Sequence, residues 1–483
     1  MVVKYDVIAI GTGSAMNIVE AMLNQDENLE VAVIDKDPPG GICLTKACIP
    51  TKILLYPSEL INHIEKAKDL GVDVQINNID FPSIMKRMHS LIDPDIEMVR
   101  EGLSSTPNIG YYTEPAEFVE PYTLKVGEDT ITAPLIFLCT GSKPFIPSIK
   151  GLDKVSYHTS DTILNIEQLP ESLVIVGGGF VAAEYGDFFS SMGSKVTILG
   201  RNPQFLPGEE EEVSAVLIQD MSKKMDILTN HEVIEIEEDD QGKITTAVNR
   251  ETGEEIIVNS QEVLIAAGRA SNSDILSPQK GGIDMDENGW IRVNEYLETS
   301  QSNVWAMGDA LGKHLFKHVA NYESRVVYHN AVRGEQMEVD YHAVPHAVFT
   351  YPEVAAVGMG EKEAIDKLGK DRVIIGFDRY EDNAKGNAMG AKNYFAKILL
   401  DAETERILGA HIVGPYASIL IHEIVNLMYT AEQTPNPVFI GMHIHPALSE
   451  VVKGAFNSLM DVDSYHHMLE HKLPEINLNR GPE

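Results

Sequence analysis

The apolar positions along this chain fall into two repeats of one pattern. "YDVIAIGTGSAMNIVEAML" is a continuous apolar run, a glycine turn and then residues with helical spacing, and "EVAVIDK" follows as a second apolar run ending on Asp35. A short unbroken apolar run bounded by glycine reads as a strand buried on both faces. "ESLVIVGGGFVAAEYGDFFSSMGSKVTILGR" repeats the pattern from Glu171 to Arg201. Each segment predicts a strand–turn–helix–strand unit. "ITAPLIFLCTGSKPFIP" and "QEVLIAAGRASN" are matching strand exits, one closing each half, and "VWAMGDALG" is a third. Because that third exit follows the second unit, the chain is expected to return to its first domain there. "IDMDENGWIRV" predicts a hairpin about Asn288-Gly289. From about residue 343 the texture becomes α+β: "VPHAVFTYPEVAAVGM" is strand-like, "YFAKILLDAETERILGAHIVG" reads as a hairpin, and "SILIHEIVNLMYTAEQ" as a helix. The polar, His-rich end from Asp461 is expected to be a loose tail, with metal binding or docking as the lesser reading.

The glycine turns give the repeats a chemistry. Gly11 and Gly13, and again Gly177 and Gly179 with Ala182 as the small third residue, follow the G-x-G-x-x-G/A order of a dinucleotide-binding turn. Asp35 lies 22 residues beyond Gly13, near the ~20 at which an acid meets a ribose. Met16 stands where the third glycine of the first turn belongs, which predicts a helix packed slightly further out. Two such units imply two nucleotides, or a nucleotide and a flavin.

Composition bounds the rest. With 483 residues the chain is long enough for about three domains. It carries 38 Lys+Arg against 73 Asp+Glu, a net charge of −35. So acidic a surface repels nucleic acid and anionic membranes, which are excluded as main partners. No apolar stretch is long enough to span a bilayer. The first strand begins at once, leaving no room for a signal peptide. Only Cys43, Cys48 and Cys139 occur. So few cysteines fit a reducing, cytoplasmic setting.

"GGICLTKACIPTK" places Cys43 and Cys48 five apart. Read alone, they are a redox pair, a metal half-site or two unrelated thiols. Zinc would need two further ligands at sensible spacing; Cys139 stands alone, nothing arranges the C-terminal histidines, and no metal is expected. A disulfide would require a bent backbone, because five residues of regular helix rise ~7.5 Å. The glycines before Cys43 and Pro50 after Cys48 are the expected bend, and Lys46 and Lys52 the charges favouring thiolates.

Taken in order, "GTGS", "GGxC-x4-CIPTK", "TGSKP", "GGGFVAAE", "AAGRASN", "GDA", "FTYPEVAAVG" and "HPALSE" resemble the class I pyridine nucleotide–disulfide oxidoreductase family. These are flavoproteins such as dihydrolipoyl dehydrogenase, glutathione reductase, mycothione reductase and mercuric reductase. The resemblance runs from Lys4 to about Leu459, and "GTGSAMN", "YHTSDT", "KHVANYESRVVYHN" and "IHPALSEVV" are most similar to mycothione reductase. It implies an α/β fold with two Rossmann-like domains and a C-terminal α+β dimerisation domain. The implied boundaries are 1–153 with 272–342 for FAD, 154–271 for NAD(P), 343–460 for dimerisation and 461–483 for the tail.

By the same resemblance, Gly11, Gly13, Ser14 and Ala15 hold the FAD pyrophosphate, and Asp35 with Lys36 the adenosine ribose. Gly41, Ala116, Thr140, Gly141, Ser142, Gly308 and Asp309 complete the FAD site. Cys48 lies against the flavin, Cys43 is the interchange thiol, and Lys52 and Glu184 pair beside the flavin's reactive nitrogen. Gly177, Gly179, Phe180, Val181, Gly200, Arg201 and Gly268 belong with Glu184 to the nicotinamide half. His445 and Glu450 are the acid–base pair, contributed across a homodimer, so that an isolated monomer is expected to be inactive.

Gly200 takes the place of a ribose-binding acid and Arg201 follows it, which favours NADPH, with NADH the alternative. "PGEEEE" downstream is expected to repel a phosphate and weakens that preference. The substrate is expected to be a low-molecular-weight disulfide, or alternatively dihydrolipoamide. Mercuric ion is disfavoured because C-terminal cysteines are absent from the sequence. Relatives read Thr before the first cysteine and Asn-Val-Gly between the pair; Ile42, Thr45, Lys46 and Ala47 differ, and Lys46 is expected to draw an anionic disulfide.

Overall fold

The computed structural model describes residues 2–473 and 476. The two predicted repeats form two parallel sheets of the same design. In the first the order is Val304–Ala306, Leu135–Leu138, Val7–Ile10, Val31–Ile34 and Ile109–Tyr112, every pair parallel. In the second it is His158–Thr159, Glu262–Ile265, Ser172–Val176, Lys195–Leu199 and Asp226–Leu228, again all parallel. In both, the strand before the glycine turn is central. Its residues are buried on both faces, so it reads as unbroken apolar sequence rather than as alternation. Val304–Ala306 pairs with Leu135–Leu138, so the chain does return to its first sheet after completing the second.

Smaller sheets flank these. Val2–Lys4, Asp129–Thr132, Thr123–Val126 and Ala116–Glu120 form one; His231–Asp239, Gly242–Asn249 and Glu255–Ser260 form another. The Asn288-Gly289 hairpin is present but short: Gly289 has φ +82° and Met285 bridges Ile291. Met16 packs half-buried on the core that holds Val7, Ile18 and Phe137.

The C-terminal α+β part is a six-stranded antiparallel sheet. Its order is Pro345–Val348, Val354–Gly358, Ile407–Val413, Phe395–Asp401, Val373–Arg379 and Leu459–Asp461. Helices Ala417–Met428 and Ser449–Asn457 pack on it.

The expectation of a loose tail is corrected here. Asp461 caps helix Val462–Lys472 by accepting from Ser464 N at 2.8 Å. Tyr465 is fully buried and donates to Glu212 at 2.5 Å, and Leu469, Leu473 and Ile476 join the core. Val462, Tyr465 and Leu469, spaced three and four residues apart, give the helix the buried face that docks it. His466 meets Glu361 at 2.6 Å, while His467 and His471 stack on each other at 4.2 Å. The remaining tail, 474–475 and 477–483, lies outside the described residues.

Candidate active site

The redox segment is two helices with a break between the cysteines. Gly40 and Gly41, at φ +110° and +71°, turn the chain into the short helix Gly41–Thr45. Lys46 (φ −141°, ψ −6°) and Ala47 (φ −134°, ψ −99°) leave helical geometry, and Cys48 opens the helix Cys48–Ala67. The bend is therefore at Lys46–Ala47. Pro50 is not the bend: it lies in the first turn of the second helix, where its missing N–H leaves no hydrogen bond unmade. The glycine pair aims the first helix instead. A Cβ on Gly41 would lie 2.7 Å from the Cα of Gly13, so the redox helix rests directly on the first glycine turn.

Both thiols are free and half-buried. The Cys43 thiol donates to the Cys48 sulfur, and this bond, aided by the Lys52 charge and opposed by burial, lowers Cys48 to about 7. The same bond and burial push Cys43 well up. Lys46 stands 3.7 Å from Asp37 and 3.6 Å from Asp161, so its charge is already matched by two carboxylates. An anionic disulfide drawn by Lys46 would meet these two carboxylates beside it.

Lys52 reaches across from the redox helix to Glu184 on helix Phe180–Met192, at 2.8 and 2.7 Å from its two oxygens. Phe349, from the C-terminal part, fixes this pair on two sides. Its backbone N–H donates to Glu184 at 3.1 Å, and its ring lies 4.5 Å from Lys52 Nζ. One ion pair thus ties together the redox helix, the second glycine-turn unit and the C-terminal sheet.

The first turn fits an FAD pyrophosphate. Gly11 has φ +101°, and a Cβ there would lie 2.1 Å from the Cys139 carbonyl oxygen, so only glycine fits and backbone N–H groups stay uncovered. Helix Ala15–Leu23 carries no acid in its first turn to oppose an anion. Ser14 donates to Asn321 at 2.9 Å and accepts from Lys317 at 3.0 Å, which puts a cation beside the turn. Asp35 accepts from Thr12 N (2.9 Å) and Thr12 Oγ1 (2.5 Å), and burial still raises its carboxyl. Lys36 pairs with Asp37 at 3.0 Å rather than with Asp35.

At the other end, Ser142 donates to Asp309 at 2.5 Å and accepts from Arg269 at 2.5 Å. Thr140 Oγ1 meets Ser273 at 2.8 Å, and Gly141 has φ +69°. Gly308 N donates to Glu323 at 2.6 Å, which also accepts from Tyr341. Burial raises Glu323 to about 7. Ala116 starts its strand buried. Thr12, Lys317, Asn321, Arg269, Glu323 and Phe349 lie within the quoted motifs, yet the sequence assigned none of them a role, because their partners come from other segments.

The second turn repeats the first. Gly177 has φ +140°, and its Cβ would lie 2.1 Å from the Ala266 carbonyl oxygen, the counterpart of Cys139. Gly200 packs against Gly178, with a Cβ-to-Cα approach of 3.6 Å, and Gly268 has φ +125°. Phe180 stacks on Phe316 and His346 at 6.3 and 5.5 Å, ahead of Val181.

The glutamate run lies elsewhere in its effect than expected. Glu209 bonds His346 at 2.6 Å; Glu210 and Glu212 surround the buried amine of Lys397 with Glu361, the last two at 2.6 and 2.7 Å. Glu211 alone of the four is exposed. The run expected to repel a phosphate is thus turned onto the C-terminal part: Glu210 and Glu212 meet the buried ammonium of Lys397, and Glu209 is hydrogen-bonded to His346.

Glu450 opens helix Ser449–Asn457 and accepts from His445 Nδ1 at 3.0 and 3.1 Å and from Ala447 N at 3.2 Å. These bonds lower its carboxyl. His445 has 73% of its side chain exposed, and Ile440, Met442 and Ile444 just before it are 86%, 102% and 78% exposed.

The comparisons with known proteins agree with this layout. The family described as pyridine nucleotide-disulphide oxidoreductase matches residues 5–334, and its dimerisation domain matches 344–456. A mycothione reductase of Mycobacterium tuberculosis (strain CDC 1551 / Oshkosh) is 34% identical over 467 residues, covering 94% of this chain and 99% of its own. A dihydrolipoyl dehydrogenase of Chlamydia pneumoniae is 32% identical over 456 residues, covering 93% and 96%. The solved HOCl-induced flavoprotein disulfide reductase RclA from Escherichia coli superposes with a TM-score of 0.82 at 26% identity, over 94% of this chain and 99% of that one. The chain belongs to the pyridine nucleotide-disulphide oxidoreductase family, and is a flavin-dependent enzyme using FAD and a nicotinamide dinucleotide.

Proposed function

We propose that this enzyme reduces a low-molecular-weight thiol disulfide with NADPH, as a homodimer, in a reducing cytoplasm. The observation that carries the reading is the Cys43–Cys48 pair: two thiols in hydrogen bond, one held near 7, set on the first glycine turn and linked through Lys52–Glu184 to the second. FAD, when bound, passes the two electrons of NADPH to this pair.

The chain's residues do the rest. Cys43, with its raised pKa, needs a base before it attacks, and His445 of a second copy is the proposed one. Glu450 fixes the imidazole by accepting from Nδ1. The Cys43 thiolate attacks one substrate sulfur, forming a mixed disulfide, and the departing thiolate takes the proton from His445. Cys48 thiolate then attacks Cys43 sulfur, expelling the second substrate sulfur as a thiolate that takes a proton from solvent and closing the Cys43–Cys48 disulfide, which two electrons reopen. Lys52 opposes negative charge building beside the pair. The exposed Ile440, Met442 and Ile444 supply apolar surface for the second copy next to His445.

A second reading is dihydrolipoyl dehydrogenase, the same steps reversed. The 32% identity to the Chlamydia pneumoniae enzyme favours it. Steady-state rates on lipoamide, mycothione and other small disulfides, each with NADPH and NADH, separate the two. A preference for dihydrolipoamide with NAD+ would displace the first reading. Anaerobic NADPH titration should raise a long-wavelength thiolate-to-flavin band at two electrons; its absence sinks both.

A further inference from the structure

The second strand of the nicotinamide half ends in a cradle to which a distant hairpin contributes. Strand Lys195–Leu199 runs into Gly200, whose N–H donates to Leu228 O at 2.9 Å and whose carbonyl accepts from His231 N at 2.9 Å. Asn230 N donates to Asn202 O at 2.9 Å. Arg250, at the end of strand Gly242–Asn249, closes this ring: its N–H donates to Asn230 O at 2.7 Å, and its guanidinium Nη1 to Arg201 O at 3.1 Å. Two arginines therefore stand together where an acid or an arginine selects between ribose 2′-hydroxyl and 2′-phosphate.

The surrounding charges favour the phosphate. Gly200 offers no carboxylate, and Arg201 is exposed, with no ion pair among the described residues. Arg250 has one carboxylate nearby, Glu232 at 3.4 Å, and both side chains are half-exposed. Such a pair is weak and exchangeable. A guanidinium carries five N–H donors in a fork that matches phosphate oxygens, so one bond to Arg201 O leaves four. The glutamate run is occupied by His346 and Lys397.

We propose that Arg250 is the second cation of a 2′-phosphate subsite and, with Arg201, sets the preference for NADPH over NADH. This deepens, and rests on, the reading of the enzyme as an NADPH user. Phosphate binding draws the Arg250 fork away from Glu232, while its bond to the Arg201 carbonyl keeps the Arg250 side chain beside the strand end that carries Arg201.

Calorimetric titration of the FAD-loaded dimer with adenosine 2′,5′-bisphosphate and with adenosine 5′-monophosphate tests this without a disulfide substrate. Arg250→Ala should weaken the bisphosphate about tenfold, the loss of one charged hydrogen-bond partner, and leave the monophosphate unchanged. Arg250→Lys should fall between, with FAD content and melting temperature as in the wild type. Bisphosphate affinity unaltered in Arg250→Ala but lowered in Arg201→Ala overturns the role of Arg250 and leaves the NADPH reading standing. Equal binding of both probes by the wild type, with a lower KM for NADH than for NADPH, overturns the two together.

Discussion

Cys43 and Cys48 share one proton through their hydrogen bond, and their surroundings decide who keeps it. Lys52 favours the thiolate at Cys48, and Cys43 as donor is left protonated. The Cys48 thiolate is present above about pH 7 and lost as pH falls through it. The long-wavelength band of the two-electron-reduced enzyme should fade over that range, and Lys52→Met should move the midpoint upward. A midpoint unmoved by Lys52→Met would assign the whole effect to the Cys43 bond. His445→Ala should cut disulfide reduction by about 10²–10⁴-fold, the usual worth of a positioned acid–base group. NADPH oxidation by ferricyanide should survive it. Equal loss in both assays would place His445 outside the thiol chemistry. At this scale the pairing of Cys43 with Cys48 and of His445 with Glu450 was legible through the resemblance of the motifs that hold them, and the structure brings each pair into contact. Lys46 was not, because its partners Asp37 and Asp161 come from other segments.

Buried ionic contacts join elements across the apolar core. Lys397, on a strand of the C-terminal sheet, meets Glu210, Glu212 and Glu361, and Glu212 also accepts from Tyr465 on the last helix. The fully buried lysine stays charged because the three carboxylates outweigh its desolvation. Lys397→Met would leave those carboxylates buried without a cation, and should cost about 3–5 kcal/mol, read as a lower melting temperature. Truncation after Asp461 should also lower it, by uncovering the apolar core under Tyr465 and Leu469. A truncated chain that melts as the full one does would show the helix to be a bystander. The glutamate run illustrates why sequence misled here: four like charges in a row read as a solvated repulsive patch, yet their partners lie more than a hundred residues away.

Across the whole molecule, the redox pair rests on the first nucleotide unit and is tied to the second through Lys52 and Glu184, and the proposed base, His445, is to come from a second copy. His445 stands on the surface beside an uncovered apolar stretch. Mixing Cys43→Ser and His445→Ala proteins under conditions of subunit exchange should restore disulfide reduction, since each mixed dimer holds one intact pairing of Cys43 with His445. No recovery despite verified exchange would place both residues in one chain's site. Met442→Glu should weaken the dimer in sedimentation and lower disulfide reduction with it, while ferricyanide reduction continues.

The sequence by itself determined the two dinucleotide units, and the order of its motifs marked Cys43 with Cys48 and His445 with Glu450 as candidate pairs. The units rest on local rules: glycine where φ is positive or a Cβ would strike a carbonyl, and unbroken apolar runs for strands covered on both faces. Only the tertiary structure decided where charges find partners. It placed the bend between the cysteines, bound Lys46 to two aspartates, drew three glutamates onto His346 and Lys397, docked the last helix and brought Arg250 to Arg201. An ion pair or a hydrogen bond between distant segments leaves no period in the sequence, because its geometry exists only once both segments have been packed.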